Sequence, residues 1–343
     1  MGLSLRRAHI ESDRDLLVDA FRRYINPHYD APRFDWLYKS NPHGEARAWI
    51  AYDQDTKLVG AAGAFPRRMY VGDREQLGWV LGDFCVNPQY RSLGPALQLQ
   101  RTFLKQVDSG EMAFWYDFPS SSMMALYRRL RIEPFARLVR LAKPLRVDSK
   151  VKRFVDLPLV TPGLTKAGNM ALRLFSTGSR PGQFEIAGEE GPWGEEFTRL
   201  AQAVGGGYGI CIQRSAEYLN WRYFANPFRT YEMITARHNG SLIAYAVLTS
   251  TERSAVIGDL FGLDRPEALE EIVRAAVELS GTRAIEAVSL PILSSHLWMD
   301  PLRRLGFTPR EAGPVVFYGK TSISAPADDS RRRWFLLDGD RDS

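Results

Sequence analysis

The residues best spaced for chemistry are Val86-Asn87-Pro88-Gln89-Tyr90-Arg91-Ser92-Leu93-Gly94-Pro95-Ala96, followed by the helical run LQLQRTFL. An apolar stretch over 77–86 enters a turn of small residues, and the turn passes directly into a helix. Such a turn aims successive backbone N–H groups at one point and sets the positive helix end there, a geometry that receives a pyrophosphate. Gly94 allows close backbone approach, and Ala96 stays small where a larger side chain would block the phosphates. Pro95 sits in the first helical turn, where its missing N–H costs little.

Other reactive residue types give less. Cys85 and Cys211 make one pair at most, so the chain is no disulfide scaffold and has no Cys/His spacing for zinc. The five histidines, His9, His28, His43, His238 and His296, are scattered, and no metal site is expected. With no histidine nearby in sequence, Cys85 reads as a strand packing residue rather than an acyl-carrying nucleophile.

The elements that must position the turn lie in a chain of 343 residues, 45% hydrophobic and 25% charged, with a net charge of +5. These values exclude global disorder, collagen and coiled coil, and the length suits two domains. The charge is too small to argue for nucleic acid as a partner. No run is long and apolar enough to span a membrane. The start, MGLSLRRAHIESDRD, lacks a signal-peptide core and Arg6 breaks the myristoylation pattern, so a cytoplasmic protein is expected.

The chain also repeats itself. FDWLYKSNP (34–42) and LNWRYFANP (219–227) each carry a tryptophan, Trp36 or Trp221, five residues before Asn-Pro. VLGDFCV then matches VIGDLFGL, and ALYRRLRI matches PLRRLGF, in the same order and at nearly the same offset. A tandem duplication is the reading. The first copy reads as helices over 11–24 and 34–40, strands over 47–53, 58–66, 68–73 and 77–86, a helix over 94–108, a strand over 112–118, a helix over 121–130 and a strand over 136–143. The pattern predicts α/β layering, with helices on both faces of a mixed sheet. Domains are expected over 1–145 and 190–322, joined by a connector (146–189) with one helix near 164–176. A tail over 323–343 has one apolar run, Trp334-Phe335-Leu336-Leu337, read as a small added strand.

The V-x-P-x-Y-R-x-x-G-x-A stretch after a strand resembles the acetyl-CoA pyrophosphate loop of the GNAT superfamily of N-acetyltransferases, with Arg91, Gly94 and Ala96 matching its Q/R-x-x-G-x-G/A pattern. Ala125-Leu126-Tyr127-Arg128-Arg129-Leu130-Arg131-Ile132 resembles the family's later helix, with Arg131 in place of a glycine and Ser120 where asparagine is common. The resemblance implies two tandem GNAT-like domains, each a mixed, mostly antiparallel sheet flanked by helices. It further implies acetyl-CoA as co-substrate, bound by Cys85, Val86, Arg91, Ser92, Leu93, Gly94, Pro95, Ala96 and Ser120, and direct transfer to an amine. In the family a tyrosine often protonates the departing thiolate, here Tyr127, and a carboxylate near Asp83 often serves as base. Asp117 ends the next strand and is read as facing the same cleft. Asp259 stands at the repeat position of Asp83, which equally suits a structural role.

The second copy lacks the turn glycine, and Asp264, Glu267, Glu270 and Glu271 at its helix start would repel a pyrophosphate. It reads as a degenerate half that shapes the acceptor cleft. Tandem halves of this kind also resemble mycothiol synthase, Fem-type aminoacyl transferases and, loosely, acetyltransferases of bacterial exopolysaccharide loci. An amino sugar or polysaccharide precursor is the acceptor this suggests. A Fem-like transfer from charged tRNA and a non-catalytic binding module are the alternatives. The basic run over 128–153 reads as a solvated face or an anion contact. The aromatic sets Phe34, Trp36, Tyr38 and Tyr218, Trp221, Tyr223 read as core or as a sugar platform.

Overall fold

The computed structural model describes residues 2–72, 74–90, 93–146, 183–283, 285–319 and 334–342. The chain opens with β1 (Ser4–Arg7), α1 (Arg14–Tyr24) and α2 (Ala31–Tyr38). Asp30 caps α2 by accepting from the Arg33 amide at 3.0 Å, and a proline occupies its first turn. Next come β2 (Arg47–Tyr52), β3 (Leu58–Val71) and β4 (Arg74–Val86). The β2–β3 turn is tied by Asp53, whose Oδ1 accepts from the amides of Asp55 and Lys57 at 2.9 and 2.8 Å. The runs 58–66 and 68–73, expected as separate strands, are one strand of 14 residues. Pro66 does not interrupt it, because it falls between the pairing to β2, which ends at Ala64, and a second pairing that begins at Met69.

The first half continues through α3 (Leu93–Asp108), β5 (Phe114–Asp117), α4 (Ser121–Arg129) and β6 (Pro134–Pro144). The second half runs β7 (Glu185–Glu189), α5 (Glu195–Val204), β8 (Ile210–Ile212), α6 (Ala216–Leu219), β9 (Glu232–His238), β10 (Ser241–Ser250), β11 (Ser254–Gly262), α7 (Pro266–Thr282), β12 (Ala287–Leu293), α8 (Met299–Arg304), β13 (Thr308–Gly319) and β14 (Trp334–Phe335). The helix expected near 164–176 lies outside the described residues.

One 14-stranded sheet runs through both halves in the order β1-β2-β3-β4-β5-β13-β6-β12-β11-β10-β9-β7, with β8 joining β3 and β14 at one side. It is antiparallel except for β4–β5, β11–β12 and β8–β14. The last strand of each half is exchanged: β13 pairs with β5 of the first half and β6 with β12 of the second, while β6 and β13 pair with each other. Trp36 and Trp221 stack at 4.9 Å between the halves. Each indole N–H donates to the other residue's carbonyl, at 2.9 and 3.0 Å, so the contact is reciprocal about a local two-fold. The indoles are buried with both N–H groups satisfied.

α4 ends on Arg131, whose φ of 59° places an arginine in the left-handed region where glycine is favoured. Its side chain is exposed, so little packing opposes relief of that strain. Arg131→Gly should stabilise the fold by about 0.5–1 kcal/mol, seen as a higher urea midpoint with an unchanged slope. A lower midpoint would mean that the arginine side chain contributes more than its backbone costs.

Candidate active site

β4 and β5 run parallel through only two registered pairs, Trp79 with Trp115 and Val80 with Tyr116, and then diverge. A cavity of about 550 Å3 opens in the splay. Leu81, Gly82, Phe84 and Val86 of β4 form one wall, the Asp117–Ser120 segment the other, and α3 (Ala96, Gln100, Phe103) and α4 (Ser122, Met123, Leu126) the floor.

A bulge sets which β4 side chains face this cleft. Ala61 registers with Cys85 and Gly63 with Gly82, so Asp83 and Phe84 together oppose Ala62. Asp83 takes a φ of 45° there. Strict alternation from Trp79 and Leu81 would aim Asp83 and Cys85 into the cleft. The extra residue reverses the faces, and Phe84 and Val86 line it instead. Asp83 therefore lies on the α1–α2 face, where Tyr29 Oη donates to its Oδ2 at 2.6 Å. Burial pushes its carboxyl up to about 6, against the pull of that hydrogen bond. Asp83 and Asp117, expected to share one cleft, thus sit on opposite faces of the sheet. Cys85 is buried beside Asp83, its thiol pushed up to about 12 by desolvation, far from a nucleophile's range.

Asp117 lies on the cleft wall. Tyr127 Oη donates to Asp117 Oδ2 at 2.7 Å, and Gln100 Nε2 donates to Tyr127 Oη at 2.9 Å. Tyr127 is fully buried against Trp115 and its proton is aimed at Asp117. Burial pushes the Asp117 carboxyl up to about 6, while the Tyr127 hydrogen bond and the charge of Arg341 pull the other way. Gln100 is itself buried and lines the cavity, and its Oε1 has no partner. A buried acceptor left unpaired costs about 1–3 kcal/mol, and an N–H donor brought into the cleft would satisfy it.

Ser120 caps α4, its Oγ accepting from the Met123 amide at 3.3 Å, and also lines the cleft. Leu93, Gly94 and Pro95 form the first turn of α3 below the splay, and Ala96 lines the cavity. Arg91 and Ser92 lie outside the described residues. Within the basic run, Arg137 donates to Ala312 O, Arg140 to Glu311, Lys143 to Leu305 O and Arg146 to Gly281 O, so these residues bind their own chain. The two aromatic sets are buried, which leaves them no face for a sugar.

The second half has a similar bulge, at Gly258, and a similar splay beyond Val256 and Ser289. Between β11, α7 and α8 only about 10 Å3 remains, lined by Leu269, Val273, Trp298 and Leu302. The splay itself is occupied by residues 337–340 of the tail. Leu337 bridges to Ile292 of β12, and Gly339 lies so close to β11 that a Cβ would come within 3.0 Å of Gly258 O. Asp259 binds Arg214, with Nε 3.0 Å from each oxygen, and Arg214 Nη2 reaches both oxygens of Asp340 at 2.9 and 3.0 Å. Asp342 pairs with Arg67 of the first half and, at 2.9 Å, with Arg222 of the second. Reading the segment as a polar tail missed this role. Three aspartates within five residues after an apolar run were the available signal, but no local pattern names partners more than a hundred residues away.

The comparisons agree with this geometry. Residues 4–134 match the family model of the acetyltransferase (GNAT) domain. Two solved structures share the fold: a GCN5-related N-acetyltransferase from Anabaena variabilis (12% identity, 93% of this chain and 73% of that one, TM-score 0.68) and a conserved protein of unknown function from Enterococcus faecalis (11% identity, 92% and 72%, TM-score 0.66). No curated protein matches the sequence significantly. Residues 4–134 are thus similar to an acetyltransferase (GNAT) domain, and the chain as a whole shares the fold of these structures. Among the described residues no helix is long and apolar enough to cross a membrane.

Proposed function

We propose that the chain transfers an acetyl group from acetyl-CoA to an amine by direct attack, with one coenzyme molecule per chain in the β4–β5 cleft. The observation that carries this reading is an open cleft of about 550 Å3 with a carboxylate on its wall, set against a second splay into which residues 337–340 of the tail are packed. The first turn of α3, with Arg91 to Ala96, faces the pyrophosphate in this account, and Gln100 Oε1 and Ser120 meet the pantetheine arm. Asp117 takes the proton of the attacking amine, and that proton is then available to the departing thiolate, whose thiol pKa is about 8.5. Tyr127 acts through Asp117, holding and orienting it, and Asp83 anchors the bulge. The two halves, with boundaries near 1–145 and 190–322, derive from a tandem duplication in which the second became the acceptor-shaping partner.

Calorimetric titration with acetyl-CoA tests the reading. One molecule should bind per chain, and Gly94→Val, which puts a branched side chain where the phosphates approach, should abolish binding while circular dichroism stays unchanged. Two molecules per chain, or unaltered affinity in folded Gly94→Val protein, would overturn the assignment. Coenzyme release in the presence of glucosamine tests the amino sugar expected from the sequence.

A further inference from the structure

A second cavity, of about 340 Å3, lies across the Phe118–Pro119 corner from the cleft, and these two residues line both spaces. One short stretch of backbone beside Asp117 therefore separates them. The far walls come from β6, β11, β12 and β13, and from the tail, so the cavity lies beside the start of the second splay. Leu138, Pro291 and Pro314 make much of the lining apolar, so an occupant with an apolar body gains from burial.

The charges on its walls are unequally committed. Arg140 is held by Glu311, with Nε and Nη2 at 2.8 and 3.1 Å from its oxygens. Arg341 is not held in this way. Its nearest carboxylate, Asp338, is 3.6 Å away, beyond hydrogen-bond length. Its Nε is buried with no partner, and its guanidinium lies 5.6 Å from the Phe118 ring centre. The backbone beneath it is fixed, since Arg222 donates to the Arg341 carbonyl. Arg341 is also near enough to Asp117 for its charge to favour that carboxylate. A guanidinium anchored through its backbone and carrying an unused donor, in a largely apolar cavity next to the proposed base, matches a carboxylate carried close to an amine.

We propose that this second cavity binds the acceptor, and that Arg341 holds the carboxylate of an amino-acid-type amine bearing an apolar side chain. This rests on the acetyl-transfer reading and narrows its acceptor. With the carboxylate on Arg341, the neighbouring amine points past Phe118 toward Asp117 and the thioester. The N–C bond forms as the C–S bond breaks, and the amine proton passes to Asp117 and then to the thiolate, so no further reactant is needed.

The test uses the full chain, acetyl-CoA and two matched sets of probes: phenylalanine, phenylalaninamide and phenethylamine, and leucine, leucinamide and isoamylamine. Thiol release measures turnover, and ligand-observed NMR measures binding whether or not turnover occurs. The amino acid of each set should be preferred over its amide and its plain amine by about 10- to 100-fold, the size of a charge-assisted hydrogen bond. Arg341→Gln should remove that preference by raising KM or Kd for the amino acid, with acetyl-CoA affinity unchanged, and Arg341→Lys should restore part of it. Equal use and equal binding of all three members, or a preference that survives Arg341→Gln, would overturn the inference. If acetyl-CoA binds and amines without a carboxylate react as well, the transfer reading stands and only this inference fails. If acetyl-CoA does not bind, both fail.

Discussion

Arg214→Leu should destabilise the protein by about 3–5 kcal/mol, the usual result of removing one member of a buried ionic cluster. Arg214 is fully buried and is the shared cation between Asp259 and Asp340, so its loss leaves two buried carboxylates without their charge partner. The wild-type cluster already carries one cation against two anions, and burial pushes Asp340 up to about 6 despite the arginine. The cost should be smaller if Asp259 and Asp340 are replaced together with Arg214 by Leu or Met, since a buried ionic group exchanged whole for apolar residues is often near neutral. Urea denaturation of the single and triple variants gives both numbers. A loss below about 1 kcal/mol for Arg214→Leu would mean that water reaches the cluster and that the tail is not sealed into the splay. Asp340→Asn, which retains size and one acceptor, gives a milder version if Arg214→Leu does not fold.

Asp117→Asn should lower turnover by about 10²–10⁴-fold, the range of general-base assistance, with acetyl-CoA affinity little changed. The wild-type rate should rise with pH through about 6, because Asp117 takes the amine proton only when ionised and burial holds its carboxyl near that value. Tyr127→Phe removes the hydrogen bond that pulls Asp117 downward, so the rising limb should move to higher pH, and Gln100 Nε2 loses its partner. That displacement of the pH profile marks a residue acting through Asp117. A Tyr127→Phe enzyme with a large fall in turnover but an unmoved limb would instead place the tyrosine on the thiolate directly. An Asp117→Asn enzyme within about threefold of wild type would remove Asp117 from the proton path.

Much of the fold was legible because it is written locally. The helix stop before Asn41-Pro42, the hairpin at Asp53 and the turn into α3 all depend on residues within a few positions of one another, whereas the start of α2 was read at Phe34 and the Asp30 cap was missed. The recurrence of Trp36 as Trp221 was also visible, and the two residues lie together in the structure. Helical period and strand alternation likewise identified most elements of the first half to within a few residues, though β1 was missed and β3 was divided after Pro66, while β7 falls inside the expected connector.

What the sequence by itself determined is most elements of the first half, the α/β layering and the turn from β4 into α3, because each follows from propensity, periodicity and turn chemistry over short spans. Tertiary structure alone decided three things. The bulge at Asp83 and Phe84 turned Asp83 away from the cleft, since one inserted residue reverses every later side chain of a strand with period two. The exchange of β6 and β13 merged the halves into one sheet, a choice between partners of equal local pattern. The aspartates of the tail became buried ion pairs because Arg67, Arg214 and Arg222 converge on them from distant strands and turns. Burying those charges is favourable only when all partners arrive together, and that is a property of the assembled chain.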